Sequence, residues 1–159
     1  VEQPGAEQAP VADRSRGYAV RLEVAAPATR IWTALTATKL LSEWFTPSAE
    51  IDARAGGSFK VTLENGAELH AHIDVFTPPS RLRLIYLPQP ELPVSESVIV
   101  DDFMIDGKAG SPTRISLLGS GFPREFEYAE YFQLAQTSWT RALNRMKILL
   151  ERPVRVKAK

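Results

Sequence analysis

The 159 residues predict an α+β domain in which a curved antiparallel sheet wraps one long C-terminal helix, with two short helices after the first strand. Three observations carry this. Residues 51–120 run at period two between turn signals, residues 128–150 contain neither Gly nor Pro, and two short apolar groups at helical spacing precede the period-two region.

The first strand is expected over residues 18–24, where Tyr18, Val20, Leu22 and Val24 share one face. Pro27 suits a first helical position, and Ile31, Trp32 and Leu35 follow at helical spacing. Leu40, Leu41, Trp44 and Phe45 form a second short helix that stops before Pro47. The meander then reads as strands over 58–63, 69–76, 82–87, 98–105 and 113–118. Asn65-Gly66 suits a hairpin turn, Pro78-Pro79 removes ladder donors, and the stretch from Asp106-Gly107 to Pro112 supplies turn chemistry. Residues 88–93 read as a surface loop. Over 128–150, Phe132, Ala135, Trp139, Leu143, Met146 and Leu150 recur at three- and four-residue steps, an apolar stripe that needs the sheet as its partner.

Composition narrows the function. Lysine plus arginine equal aspartate plus glutamate at 19 each, so no net field recruits nucleic acid or an anionic membrane surface. The absence of cysteine excludes disulfides, thiolate metal sites and cysteine nucleophiles. No run approaches the roughly 20 apolar residues of a membrane-spanning helix, and a soluble, cytoplasmic protein is expected. Residues 1–16 read as a mobile polar tail, 17–151 as one domain, and 152–159 as a basic, solvated tail that begins just before Pro153.

The order and spacing of several short motifs resemble a known family. They are Ala26-Pro27 leading to Ile31-Trp32 and Leu35-Thr36, then Leu41 and Trp44, Gly56-Gly57-Ser58-Phe59, and Pro79 with Arg81-Leu82. Thr113-Arg114-Ile115, Gly121-Phe122 and Trp139 with Leu143 and Leu150 follow. Over residues 18–150 the chain resembles the family named after the activator of heat-shock protein 90 ATPase, a branch of the START-like (SRPBCC) superfamily. The resemblance implies a helix-grip fold with a cavity between sheet and long helix.

Several residue groups invite chemistry. Gly56-Gly57 lacks any phosphate-loop context and reads as strand entry at special backbone angles. His70, His72 and Asp74 share one strand face, but Leu69, Ala71, Ile73 and Val75 take the other, so the histidines are expected in solvent and no metal site is assigned. Asp101-Asp102 interrupts the apolar run from Val98 to Ile105. If Ile99, Phe103 and Ile105 mark the inner face, Asp101 lies there too and needs a partner or a raised pKa. A bulge, a strand edge or a hydrogen-bonded structural carboxylate is the competing reading. Neither a GxSxG nor a histidine-paired nucleophile is present, and no catalytic residue or cofactor is assigned.

The candidate ligand-binding residues are Trp44, Phe59, Tyr86, Asp101, Phe103, Phe122, Trp139 and Leu143. The expected ligand is a small hydrophobic or amphipathic molecule. The alternatives are a chaperone or other protein partner, and a cyclase- or hydrolase-like enzyme using Asp101; a plain packed core remains the bland reading of the aromatic set.

Overall fold

The computed structural model describes residues 15–45, 48–62, 65–90, 92, 98–108 and 110–152. In chain order the elements are β1 (Ser15–Val24), α1 (Ala28–Thr36), α2 (Thr38–Trp44), β2 (Ser48–Ile51), β3 (Ser58–Thr62), β4 (Glu68–Thr77), β5 (Arg81–Tyr86), β6 (Ile99–Asp106) and β7 (Thr113–Pro123). A 3-10 turn (Phe126–Tyr128) then leads into α3 (Ala129–Glu151). The strands form one antiparallel sheet in the order β1-β7-β6-β5-β4-β3-β2. Sequence neighbours β1 and β2 are therefore opposite edges, and the α1–α2 pair carries the chain from one edge to the other. This is the expected α+β helix-grip arrangement, with the long helix held by a curved sheet.

Three elements differ from the sequence reading, each for a local reason. Strand β2 was not anticipated, because it is four residues long and only Ala49 is buried, so no alternation of large apolar residues announces it. Hydroxyls of α2 hold it in place: Ser42 Oγ donates to the Ala49 carbonyl at 3.0 Å, and Thr38 Oγ1 accepts from the Ile51 N–H at 3.2 Å. Strand β7 continues to Pro123, past the expected end at 118, although Gly119, Gly121 and Pro123 look like breakers. Its extension is paired by Ser15 and Arg16, which belong to β1 although their composition groups them with the polar tail. The rest of that tail, residues 1–14, and residues 153–159 lie outside the described residues, as does Leu63 at the expected end of β3.

The third difference is one of phase. In β4, Leu69, Ala71 and Ile73 are buried as expected, but the β4–β5 register shifts between Ile73 and Val75. The bulge reverses the alternation, pairing Val75 with the outward Arg83 and Phe76 with the buried Leu82. Phe76 thereby turns inward and packs edge-on against Trp32, with ring centroids 5.2 Å apart.

Helix α3 buries Ala135, Ser138, Trp139, Ala142, Leu143, Met146 and Leu150. Its C-terminal half is also tied by polar contacts. The Leu150 carbonyl accepts from Arg30 Nη1 at 2.9 Å, Arg145 Nε donates to the Trp44 carbonyl at 2.8 Å, and Lys147 Nζ donates to the Glu23 carbonyl at 2.7 Å. Residues 129–137 bury only Ala135. The helix is thus clamped at one end and lightly seated at the other.

Trp139 sits at the junction of these halves, 2% exposed, with its ring centroid 4.9 Å from that of Phe45 and 5.1 Å from that of Phe103. Trp139→Ala is expected to lower the unfolding free energy by about 3–5 kcal/mol, the range for large aromatic truncations in a core. Urea denaturation measures it; a loss below about 1 kcal/mol would mean that the indole is not a packing element.

Candidate functional site

Strand β6 pairs without a register break with both β5 and β7, so its side chains alternate strictly: Ile99, Asp101, Phe103 and Ile105 face the helix, and Asp102 and Met104 face out. Asp102 receives Arg81 on the outer face in a fork, Nε to Oδ1 at 3.1 Å and Nη2 to Oδ2 at 2.8 Å. Asp101 has no arginine. It is 3% exposed, and its inward carboxylate is a hydrogen-bonded group in an unbulged strand.

Three donors converge on it from three other elements. Tyr18 Oη of β1 donates to Oδ1 at 2.6 Å, while Tyr86 Oη of β5 and Trp139 Nε1 of α3 donate to Oδ2 at 2.8 Å and 3.0 Å. Tyr86 comes from the neighbouring strand. Tyr18 is two strands away, roughly 10 Å in the pairing direction, and crosses β7 to arrive. The intervening residue is Gly119, which pairs with Tyr18 on one side and Asp101 on the other. A Cβ there would overlap the Tyr18 ring, so the glycine supplies the channel in which the phenol lies.

The electrostatics follow from burial. Loss of solvent raises the Asp101 pKa, the hydrogen bonds from Tyr18, Tyr86 and Trp139 lower it, and burial wins, leaving it at about 6 against an ordinary 3.8. Burial, and then the charge of Asp101, push both tyrosines well above their ordinary 10.0. At neutral pH the cluster is therefore a carboxylate held by two neutral phenols and an indole. A carboxylate accepts about four hydrogen bonds, and three are made here.

Above this cluster a crevice opens between the sheet and the lightly seated half of α3. Tyr86, Asp101, Phe122 and Trp139 line it together with Val61, Leu69, Leu92, Ile99, Tyr131, Leu134 and Ala135. Its volume is only about 20 Å³, room for a molecule the size of water. The structure thus brings four of the expected ligand-binding residues to one place. Trp44, Phe59 and Phe103, at most 0% exposed, and Leu143 are buried in the packed core and do not border the crevice. Trp44 has a structural hydrogen bond of its own, Nε1 to the Ala34 carbonyl at 2.8 Å.

Sequence reasoning did not pick out Tyr18 or Gly119 as site residues. Both needed the pairing of β1 with β7, which joins opposite ends of the chain and leaves no local pattern. The remaining motifs are structural. Gly56 has φ +78°, its N–H donates to the Ile73 carbonyl at 3.0 Å, and a Cβ on Gly57 would meet the Asp52 carbonyl. His70, His72 and Asp74 are all exposed, with Asp74 3.6 Å from Arg83. No helix among the described residues is long and apolar enough to cross a membrane.

A seven-stranded sheet gripping a long helix, with a polar cluster buried between them, defines a START-like domain. The chain belongs to the Activator of Hsp90 ATPase homolog 1-like protein family, whose model matches residues 25–151. Similar solved structures include protein MLL2253 from Mesorhizobium loti, at 19% identity and TM-score 0.71, covering 89% of this chain and 100% of that one. The Aha1 dimer from Colwellia psychrerythraea shares 18% identity at TM-score 0.71, covering 86% and 96%. CalU16 from Micromonospora echinospora shares 19% at TM-score 0.67, covering 86% and 77%. At these identities the likeness is one of fold. No curated protein matches the chain.

Two outcomes test the cluster. Gly119→Ala should expel the Tyr18 ring and destabilise the domain by about 1–3 kcal/mol, and in that background Tyr18→Phe should add little, since the bond it removes is already lost. Full additivity of the two changes would show that Gly119 does not position Tyr18. The second concerns pH. Because the folded pKa of Asp101 lies above its ordinary value, its contribution to stability is fully present below about pH 3.8 and is lost as pH rises through about 6. The displacement from 3.8 to about 6 corresponds to about 3 kcal/mol. Urea unfolding of wild type and Asp101→Asn between these limits should show the wild type losing that amount relative to the variant; parallel curves would mean that Asp101 titrates normally.

Proposed function

We propose that the domain binds a small hydrophobic or amphipathic molecule between the sheet and the first half of α3. One observation carries this reading: a buried carboxylate held by Tyr18, Tyr86 and Trp139 forms the floor of an otherwise apolar crevice. Ligand sites of this kind combine apolar walls with a few placed polar groups. The crevice admits an organic molecule by widening. Its movable wall is the helical segment of residues 129–137, where Tyr131 is 40% exposed and only Ala135 is buried. Trp139 and the C-terminal half of α3 stay fixed during this opening.

A protein-partner reading draws on one feature, the exposed Phe126 in the turn before α3, which is 92% accessible at the end of the helix that lines the crevice. A single side chain supports it less well than a lined crevice with a polar floor supports a small ligand. For an acid–base enzyme, Asp101 is suitably buried, but its donors hold it as an acceptor and no second titrating group besides the two tyrosines faces it.

An aromatic probe burying about 150–250 Å² of apolar surface gains roughly 4–6 kcal/mol, a Kd between about 1 mM and about 30 µM. Titration of 2-naphthalenemethanol is expected to reach this range and to shift the amide resonances of Ile99, Leu134 and Ala135. Ala135→Leu should fill the crevice and weaken binding about tenfold or more while leaving the melting temperature within a few degrees. Undiminished binding to that variant, or shifts confined to the outer sheet face, would refute the reading.

A further inference from the structure

We infer that the crevice selects ligands whose polar end donates hydrogen bonds, above all an ammonium group, and rejects those that end in a carboxylate. The inference rests on the ligand-binding reading and adds the chemistry of the ligand. At the floor, the Tyr86 hydroxyl and the Trp139 indole N–H are both spent on Asp101 Oδ2. Tyr18 is spent on Oδ1. Asp101 and Tyr86 both line the crevice, and what they have left to offer is acceptor capacity: a lone pair on Oδ1, which has a single donor, and the phenol oxygen of Tyr86. Among the described residues lining the crevice there is no Lys, Arg or His. Arg16 stacks its guanidinium over Phe132, 4.6 Å from the ring centroid, with Nε and Nη2 buried and without a hydrogen-bond partner among the described residues, and it is not part of the lining.

The walls reinforce this polarity. Tyr86, Phe122, Tyr131 and Trp139 border the same space, and an aromatic face attracts an ammonium and repels an anion. A carboxylate in this crevice would lie beside the Asp101 charge with no cationic donor among the lining residues to receive it, a buried charge without a partner there. An alcohol fits in between: it satisfies one acceptor and brings no charge.

The test uses three probes of one shape, 2-naphthylmethylamine, 2-naphthalenemethanol and 2-naphthoate, titrated into wild-type protein and Asp101→Asn at about pH 7.5 with amide shifts as the readout. The expected order is amine, alcohol, carboxylate, with the extremes separated by about tenfold or more, the ratio that one unmatched buried polar group produces. In Asp101→Asn the separation should shrink to within about threefold. Should that variant fail to fold, the wild type measured at about pH 5 replaces it, because protonation of Asp101 should erode the amine's advantage. The titratable groups that face Asp101 are Tyr18 from β1 and Tyr86 from β5; β7 presents Gly119 and α3 presents Trp139, neither of which titrates. Equal affinities for the three probes would overturn the inference while leaving ligand binding intact. A preference for 2-naphthoate would overturn it and point to Arg16 as the polar contact. Failure of every probe to bind would overturn both.

Discussion

The carboxylate of Asp101, buried beneath a sheet and a helix, is the constraint around which the fold is organised. An unpaired buried carboxylate is not tolerated, and the partners that make it tolerable arrive from β1, β5 and α3, elements far apart in the chain. Each arrival fixes something else. Tyr18 requires β1 to pair with β7 in one register, since a slip of one residue would turn its ring to solvent. Trp139 requires α3 to sit at one rotation and depth. Gly119 is the consequence of both, the position that must be empty for a phenol to cross a strand. The same register places Asp102 outward, where it pairs with Arg81. Two adjacent carboxylates thereby have opposite environments, and burial raises the pKa of the inner one.

Helix α3 answers to two different demands along its length. From Ser138 onward it buries Trp139, Ala142, Leu143 and Met146, its Arg145 and Lys147 donate to backbone carbonyls of other elements, and its Leu150 carbonyl accepts from Arg30 of α1. Before Ser138 it rests on Ala135 and on the aromatic contacts of Phe132 with Tyr18 and Phe122. Local opening follows the distribution of buried apolar contact, so the half that opens at least cost is the half above the polar cluster. A filled interior and the proposed ligand site are compatible on this arrangement, because the packed core of Trp44, Phe59, Phe103 and Leu143 does not border the crevice.

The parts of this structure written in the sequence are those with local periodicity. The long helix, the short helix pair and most of the meander follow from spacing, and the inward side of Asp101 follows once the unbulged pairing of β6 removes the bulge that the sequence left open. The family resemblance added the grip of sheet on helix. What was illegible depends on pairing across distance or on an inserted residue. The bulge that turns Phe76 inward in place of Val75 has no marker in the residues of β4. Strand β2 has a single buried residue, and the role of Gly119 appears only once β1 and β6 are seen on either side of it. Asp101 was expected to have a raised pKa or a partner such as an arginine, with a hydrogen-bonded structural carboxylate as the competing reading; the chain supplies three neutral donors and the pKa is raised, so the negative charge present at neutral pH is not compensated by a cation among those donors.

That retained charge bears on why the group is there at all. A buried ionic group is a weak contributor to stability, and apolar residues of similar volume commonly replace one without loss. Here the raised pKa states the same thing, for folding at neutral pH holds the carboxylate in its less favoured form. Register alone does not demand an ion, since a neutral amide can accept from Tyr86 and Trp139 on its oxygen and donate to the Tyr18 hydroxyl oxygen from its NH2. What the amide lacks is the charge, and the charge is the one property of the cluster that reaches into the crevice unsatisfied. A domain that spends three donors to hold a carboxylate at the floor of an apolar space, and lines that space with aromatic residues and, among the described residues, no cation, has the electrostatic form proposed above, that of a site for a donor or a cation.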